Sequence, residues 1–440
     1  MKFAKLSLVA AVAVAGFTTA NAQPLEEAIK NVDVTGSAVY RYNEYTNDKV
    51  TAPATSDNLN QNNYKIALGL ASKVNDDVKF NSRFIVGSTS DAGWVTLDSN
   101  GADGQASVTL SNANFAYTGI KNTTVIAGKQ GLTTPWTVAV QADGNEQTGT
   151  GILALSALGP VTLAGGYFNQ TNVNASSDSS VNGVALYKAD RNKGTSTSNT
   201  GVSDLTASTI VGNDVIDGQQ DIAVVGAIAT LGPVTADAWY LTLNNTFNTY
   251  TVGAKNASKL AGVDVTADAR YASLTLDKNV AKALQPVLSA NSSIEDNNSI
   301  IKLVVTADAG LIDGKVAYAK TGKEGGLTAL DNDASTTLLG WNLTANGKAD
   351  ADYWQAVVGI DILPNLNLSA NYGNVQYKAA ANVNKDYEEE EVYGQLLYKM
   401  SKNLTTYVRY GTYTKESTVS GVTTKSNDDT RGRLQVAYTF

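Results

Sequence analysis

Apolar and polar side chains alternate along this chain in runs of about ten residues. In VTGSAVYRYNEY, Val34, Gly36, Ala38, Tyr40 and Tyr42 share one face, and Thr35, Ser37, Arg41 and Asn43 share the other. In NYKIALGLAS, Tyr64, Ile66, Leu68 and Leu70 alternate with Lys65, Ala67 and Gly69. The period recurs in VKFNSRFIVG, DYWQAVVGIDI, LNLSANYG, VYGQLLYKM and LTTYVRYGTY, and again in the terminal RLQVAYTF. Period two puts successive side chains on opposite faces of a strand. A soluble sandwich would explain a few such runs; this many, with no helical interval between them, predict a barrel.

The connections fall into two classes. Tight turns are expected at Asn75-Asp76-Asp77, Gly119 to Asn122, Gly159-Pro160, Gly232-Pro233, Lys259 to Gly262, Asp313-Gly314, Pro364-Asn365 and Ser401-Lys402-Asn403. Between them lie mostly long polar stretches at 46–62, 89–107, 131–150, 171–220, 244–248, 277–297, 322–351, 378–389 and 416–429. Within 171–220, VNGVALYK is taken as part of the loop rather than as added strands. Eight turns and nine loops imply about 18 antiparallel strands with both chain ends on the short-turn side. The expected fold is an all-β transmembrane barrel with short periplasmic turns and long extracellular loops.

Composition sharpens this picture. Residues 1–22 carry Lys2 and Lys5, an apolar run from Leu6 to Phe17 and a small-residue Ala20-Asn21-Ala22 step. They read as a signal peptide for Sec-type export, cleaved near Ala22. Residues 23–440 then form one barrel domain, with no room for a plug domain before the first strand. The formal net charge is −8, an acidic balance unsuited to nucleic acid. Cys and His are both absent, which removes disulfides, the Ser-His and Cys-His nucleophilic sites and the commonest metal ligand, so no enzyme is expected. No stretch after the signal offers the roughly 20 apolar residues of a membrane helix. Near-neutral hydropathy is also how a barrel reads, because half of each strand faces water.

The final strand ends on Phe440, with Tyr438 two residues before it on the same face. Such a strand would close the barrel against the first one and leave no free edge. Tyr438 and Phe440 also resemble the signal read by outer-membrane assembly machinery. PLEEAIKNVDVTGSAVYRYNE from Pro24 closely resembles the start of the campylobacter-type, epsilonproteobacterial, major outer membrane porins. VIAGKQGL from Val125, followed by Trp136-Thr137, Asp143-Gly144 and Gly149-Thr150-Gly151, is a second match, and LQVAYTF a third. The resemblance implies a homotrimer of eighteen-stranded barrels in the Gram-negative outer membrane, with the loop around 131–150 folded inward. It further implies passive passage of ions and small hydrophilic solutes, mild cation preference, and calcium binding near the constriction, close to Asp143. No other cofactor is expected, and the remaining partners are outer-membrane lipid and lipopolysaccharide.

Taking the apolar face of each strand as outward makes the other face the lumen. That orientation places Arg41, Lys65, Lys79, Arg83, Arg409 and Arg433 on one basic wall, since the last strand meets the first. The middle strands contribute Asp237, Asp264, Asp268, Asp308 and Asp361 to an acidic wall. Asp143 and Glu146, in the inward loop, would form an acidic lip; Asp143 matches the family step, and Glu146 stands on its chemistry alone. Facing walls of opposite charge would set a transverse field across a water-filled constriction. The expected function is a general diffusion porin. A substrate-selective channel, or an adhesin working through the long loops, is the alternative.

Overall fold

The computed structural model describes residues 32–47, 59–88, 93–98, 106–142, 144–173, 178, 180–181, 184–185, 216, 218–284, 296–323, 325–378 and 385–440. The expected signal peptide and Asp143 lie outside the described residues. Eighteen strands form the barrel. They begin with β1 (Val32–Asn47), β2 (Leu59–Lys73), β3 (Val78–Gly87), β4 (Ser107–Ile120), β5 (Thr123–Gly131) and β6 (Thr148–Leu158). Next come β7 (Val161–Thr171), β8 (Ile222–Leu231), β9 (Val234–Leu243), β10 (Phe247–Leu260), β11 (Val263–Leu276) and β12 (Asn297–Asp308). The last are β13 (Ile312–Thr321), β14 (Ala349–Leu363), β15 (Leu366–Lys378), β16 (Lys385–Lys399), β17 (Leu404–Val419) and β18 (Val422–Thr439). Each strand pairs antiparallel with the next, and β18 closes on β1 from Ser37 opposite Thr439 to Asn47 opposite Asp429. Closure satisfies every edge, which is what lets strands stand in hydrocarbon.

The seam is tight because of Gly36. Its N–H donates to the Phe440 carbonyl at 2.8 Å and its carbonyl accepts the Phe440 N–H at 3.0 Å. A Cβ there would lie 2.4 Å from the Phe440 ring and 2.6 Å from the Ala67 carbonyl. Outside the barrel, Ile301, Leu303, Val316, Val358, Leu368, Val392 and Val408 are exposed, and Tyr40, Tyr240, Trp354, Tyr398, Tyr410 and Tyr438 are exposed with them. Rings with an apolar body and a polar tip suit the membrane interface. Tyr353 is fully buried inside the barrel, because it shares the inward parity of Ala351 and Gln355.

Turn chemistry accounts for several of the short connections. Gly159 and Gly232 take φ of +61° and +60° ahead of a proline, and Ala261-Gly262 takes +49° and +90°, the positive pair of a type I′ hairpin. Three expectations are corrected. The β12–β13 turn lies at residues 309–311, where Gly310 takes φ +89°; Asp313 and Gly314 belong to β13. Residues 416–429 are not a loop: β17 and β18 run through them to a two-residue turn, Ser420-Gly421, with φ of +51° and +80°. Inside 89–107, Val95–Asp98 resumes the line of β3 and pairs with β2 at Gln61–Tyr64. Within the 171–220 stretch, Ser180–Val181 and Val184–Ala185 pair as a minimal hairpin apart from the barrel sheet.

The apolar core lies inside the barrel, between its wall and two inward loops. The β5–β6 loop supplies Leu132 and Trp136, and the β13–β14 loop supplies Leu327 and Leu330, packed on Phe168, Val224, Leu241, Leu243, Phe247, Leu274 and Leu276. Val280 and Ala281 of the short helix α1 (Lys278–Leu284) join them. A second cluster sets Leu338, Leu343 and Ala345 of the β13–β14 loop on Ile300, Ala319, Ala351, Tyr353 and Val375 of the wall.

Candidate functional site

The β5–β6 loop crosses the interior from the apolar cluster to the basic wall. At its far end Glu146, almost fully buried, accepts from Lys65 Nζ at 3.0 Å, Arg83 Nη2 at 2.8 Å and Nε at 3.0 Å, and Ser111 Oγ at 2.5 Å. Lys65 Nζ also donates to the Gly144 carbonyl at 2.5 Å. Burial alone would raise the Glu146 carboxyl, but the Arg83 hydrogen bond and the charges of Lys65 and Arg83 outweigh it, with Ser111 adding to them. The group is held below its ordinary value of 4.5. Glu146 is therefore an ionised clamp on the basic wall and not a free lip facing it.

The β13–β14 loop grips the first loop from above. Leu330 N–H donates to the Trp136 carbonyl at 2.9 Å, and Thr336 N–H to the Pro135 carbonyl at 3.1 Å. Asp331 accepts from Val138 N–H at 2.7 Å and from the Gln141 amide, and Asp333 accepts from Ala142 N–H at 2.7 Å. Burial pushes the Asp331 carboxyl well above its ordinary value, a rise the Val138 N–H opposes and the nearby Asp178 and Asp333 carboxylates reinforce. Lys302 reaches in from β12 to the Ser335 and Thr337 carbonyls. Beyond this grip the loop tip, residues 340–342, crosses to the basic wall. Glu391 accepts the Trp341 and Asn342 N–H groups at 2.9 and 2.7 Å, and Arg431 Nη1 donates to Asn342 Oδ1 at 2.5 Å.

The structure brings five of the six expected bases onto one staircase. Arg409 and Arg433 are directly opposed on β17 and β18. Arg433 Nε bonds Asn43 Oδ1 at 2.6 Å, and Arg41 Nε bonds Gln435 Oε1 at 2.8 Å. Lys65 and Arg83 follow on β2 and β3, joined through Glu146. Lys79 stands apart, paired with Asp33 at 3.1 Å toward the short-turn end. Aromatic faces cover the arginines. Arg41 lies 4.2 Å from the Trp94 ring, and Arg409 and Arg433 lie 5.8 and 5.6 Å from Trp341.

The five expected acids all have inward parity but do not form one wall. Asp237 is consumed by Arg270 in a bidentate pair at 2.9 and 2.7 Å. Asp268 stands opposite Lys255. Asp264 and Asp308 are directly opposed at the short-turn end, and Asp308 is opposed in turn by Asp313. Asn367 Nδ2 donates to Asp313 at 3.0 Å and to Asp361 at 2.9 Å, which extends the row onto β14. Like charges set side by side repel, so this row belongs in water. Asp313 escaped sequence reading because Asp-Gly reads as a turn, and Trp94, Trp341 and Glu391 escaped it because their roles depend on where loops dock. Among the described residues no group of three or more acidic side chains is arranged to hold a metal ion. Nor does any described helix have the length and apolarity to cross a membrane.

The family model described as Campylobacter major outer membrane protein matches residues 1–440. No curated protein matches the sequence. Among solved structures, Pseudomonas aeruginosa OccK5 (OpdH) superposes with TM-score 0.62 at 18% identity, over 93% of this chain and 98% of that one. Acinetobacter baumannii OccAB3 gives 0.64 at 14% identity, over 93% and 99%. P. aeruginosa OccK2 (OpdF), solved in complex with glucuronate, gives 0.63 at 14% identity, over 93% and 96%. At such identities the likeness carries the fold, a closed outer-membrane porin barrel.

Proposed function

This chain belongs to the Campylobacter major outer membrane protein family, a porin channel of the outer membrane and not an enzyme, and on that premise we propose that it is a general diffusion pore with a mild cation preference. The observation that carries the reading is the uneven neutralisation of its two charged regions. On the basic staircase, Lys65 and Arg83 are cancelled in part by Glu146, and aromatic rings lie over the guanidinium faces of Arg41, Arg409 and Arg433 without removing their charge. At the short-turn end Asp264, Asp308, Asp313 and Asp361 form an acidic row whose ion-pair partner among the described residues is the exposed Lys259, at 3.2 Å from Asp264. Rings of carboxylates at a pore mouth concentrate cations, and low-dielectric walls focus that field.

The two inward loops set the size limit, since each is pinned at both sides of the lumen. Passage is passive, and solutes follow their gradients. The subunits work as a homotrimer embedded in lipid and lipopolysaccharide, exported behind a cleaved signal and inserted by the outer-membrane assembly machinery through the Tyr438/Phe440 strand. Liposome swelling with uncharged sugars of increasing size tests the diffusion reading. Swelling rates that fall smoothly with solute size, with one monosaccharide passing like its epimers, are expected. Uptake confined to one sugar or to none refutes it.

A further inference from the structure

We propose that Arg409 and Arg433 form a subsite for the oxyanion of a small hydrophilic solute, a carboxylate or a phosphate, in passage through the barrel; the proposal rests on the pore reading above. The two residues are directly opposed across β17 and β18, an arrangement that places like charges side by side. Several other lumen cations have a carboxylate partner, while Lys302 and Lys315 are held by carbonyl and amide oxygens. Lys65 and Arg83 share Glu146, Arg270 has Asp237, Arg431 has Asp429 at 2.5 Å, and Lys79 has Asp33. Among the described residues neither Arg409 nor Arg433 has an ion pair. Their hydrogen-bond partners are neutral: Arg409 Nε donates to Gln395 Oε1, Arg433 Nε donates to Asn43 Oδ1, and Tyr407 touches Arg433 through its hydroxyl.

Glu391 is a carboxylate with an influence on Arg409, and its oxygens are already committed to the Trp341 and Asn342 N–H groups. Glu391 thus holds the loop tip rather than the guanidinium. That tip delivers the Trp341 ring over both arginines, and Tyr393 and Tyr407 lie 5.6 and 4.8 Å from Arg409. Trp341 and Tyr393 meet edge to face at 5.1 Å, which fixes the platform. Rings over the guanidinium faces attract the charge through their quadrupoles and leave only the N–H edges to be used. Those edges are the fork that matches a carboxylate or phosphate in two parallel bonds. Both arginines are only half-buried, so a solute in the lumen reaches them. An oxyanion there relieves the repulsion of the opposed pair while it stays, and water replaces it when it leaves. That is the balance a conducting site needs, favourable enough to enter and weak enough to release.

The test is single-channel current through the full-length protein in a planar bilayer, with gluconate, glucose 6-phosphate or glucose added to one side of a KCl solution. Gluconate, glucose 6-phosphate or both are expected to reduce the open current saturably, and glucose at the same concentration is not. A response to gluconate alone assigns a carboxylate occupant, to glucose 6-phosphate alone a phosphate, and to both their shared chemistry. In Arg409→Gln/Arg433→Gln the half-effect concentration is expected to rise about tenfold or more, because two charge-assisted forks are lost. If that double variant does not insert, Arg409→Gln alone is read the same way, with a smaller rise. A wild-type channel that conducts KCl yet responds to neither anion, or a variant that keeps the full response, overturns the subsite and leaves the pore reading intact. Loss of KCl conductance by the wild type overturns the pore reading instead.

Discussion

Glu146→Gln is the substitution with the most calculable effect. It removes one negative charge from a point where Lys65 and Arg83 converge, and the near-isosteric amide keeps the loop's shape. An ion passing about 6 Å away in water feels a unit charge as about 0.7 kcal/mol. At 0.1 M salt, where the screening length is about 10 Å, roughly 0.4 kcal/mol of this remains. That is close to a twofold change in local concentration for each ion sign, in opposite directions, so the cation-to-anion permeability ratio should fall about three- to fourfold. Reversal potential under a KCl gradient reads the ratio directly. Because Arg83, Lys65 and Ser111 hold the Glu146 carboxyl below 4.5 against the opposing effect of burial, the wild-type ratio should stay flat from pH 8 down through pH 5. The docking it supplies is present above the ordinary carboxylate value and is lost only as pH falls through the depressed one. An unchanged reversal potential in Glu146→Gln would refute the placement of this ion-paired cluster beside the conduction path.

Other consequences follow from particular contacts. Gly36→Val forces a side chain into the Phe440 ring; overpacking of this kind costs about 1–3 kcal/mol, so the heat-modifiable folded band should weaken in gels, and an unchanged band would show that the seam relaxes freely. Asp308→Asn/Asp313→Asn removes two charges of the acidic row and should lower cation preference more when the dilute salt faces the short-turn side; equal effects from both sides would contradict that location. Asp331 has a raised carboxyl, so the folded state holds its proton more tightly than the unfolded one. Loop packing is then favoured at low pH and loses stability as pH rises through the raised value. The thermal midpoint should fall from pH 5 to pH 8 in the wild type and not in Asp331→Asn; identical pH profiles would count against the Asp331 contact.

How much of this was legible in the chain depends on which physical rule set each part. Strands such as Val34 to Tyr45 and Leu404 to Tyr413 face lipid on one side and water on the other, so period two appears in the sequence and strand number and closure follow. The outer ends of β17 and β18 stand clear of the lipid. Glu416 to Thr418 and Thr423 to Asp429 are polar on both faces, and nothing in their alternation distinguishes hairpin from loop. Alternation reads Arg41, Arg83, Arg409 and the five aspartates as inward, and they share the inward parity of their strands because register links every residue of a strand. It could not tell that Asp237 would meet Arg270 across an intervening strand, or that Lys79 would pair with Asp33 apart from the other bases. The β13–β14 loop was harder still. Leu327, Leu330, Leu338 and Leu343 bury inside the barrel with no period of their own, since each packs on a different stretch of wall. Trp341 takes its meaning from that docking alone.

The central claim, an open channel with a slightly cation-favouring lumen, is tested most directly by single-channel recording of the purified protein under a salt gradient. Stepwise ohmic conductance with a reversal potential on the cation side is the predicted result. Absence of conductance from correctly folded, heat-modifiable protein would contradict it, and would mean that the two inward loops close the barrel.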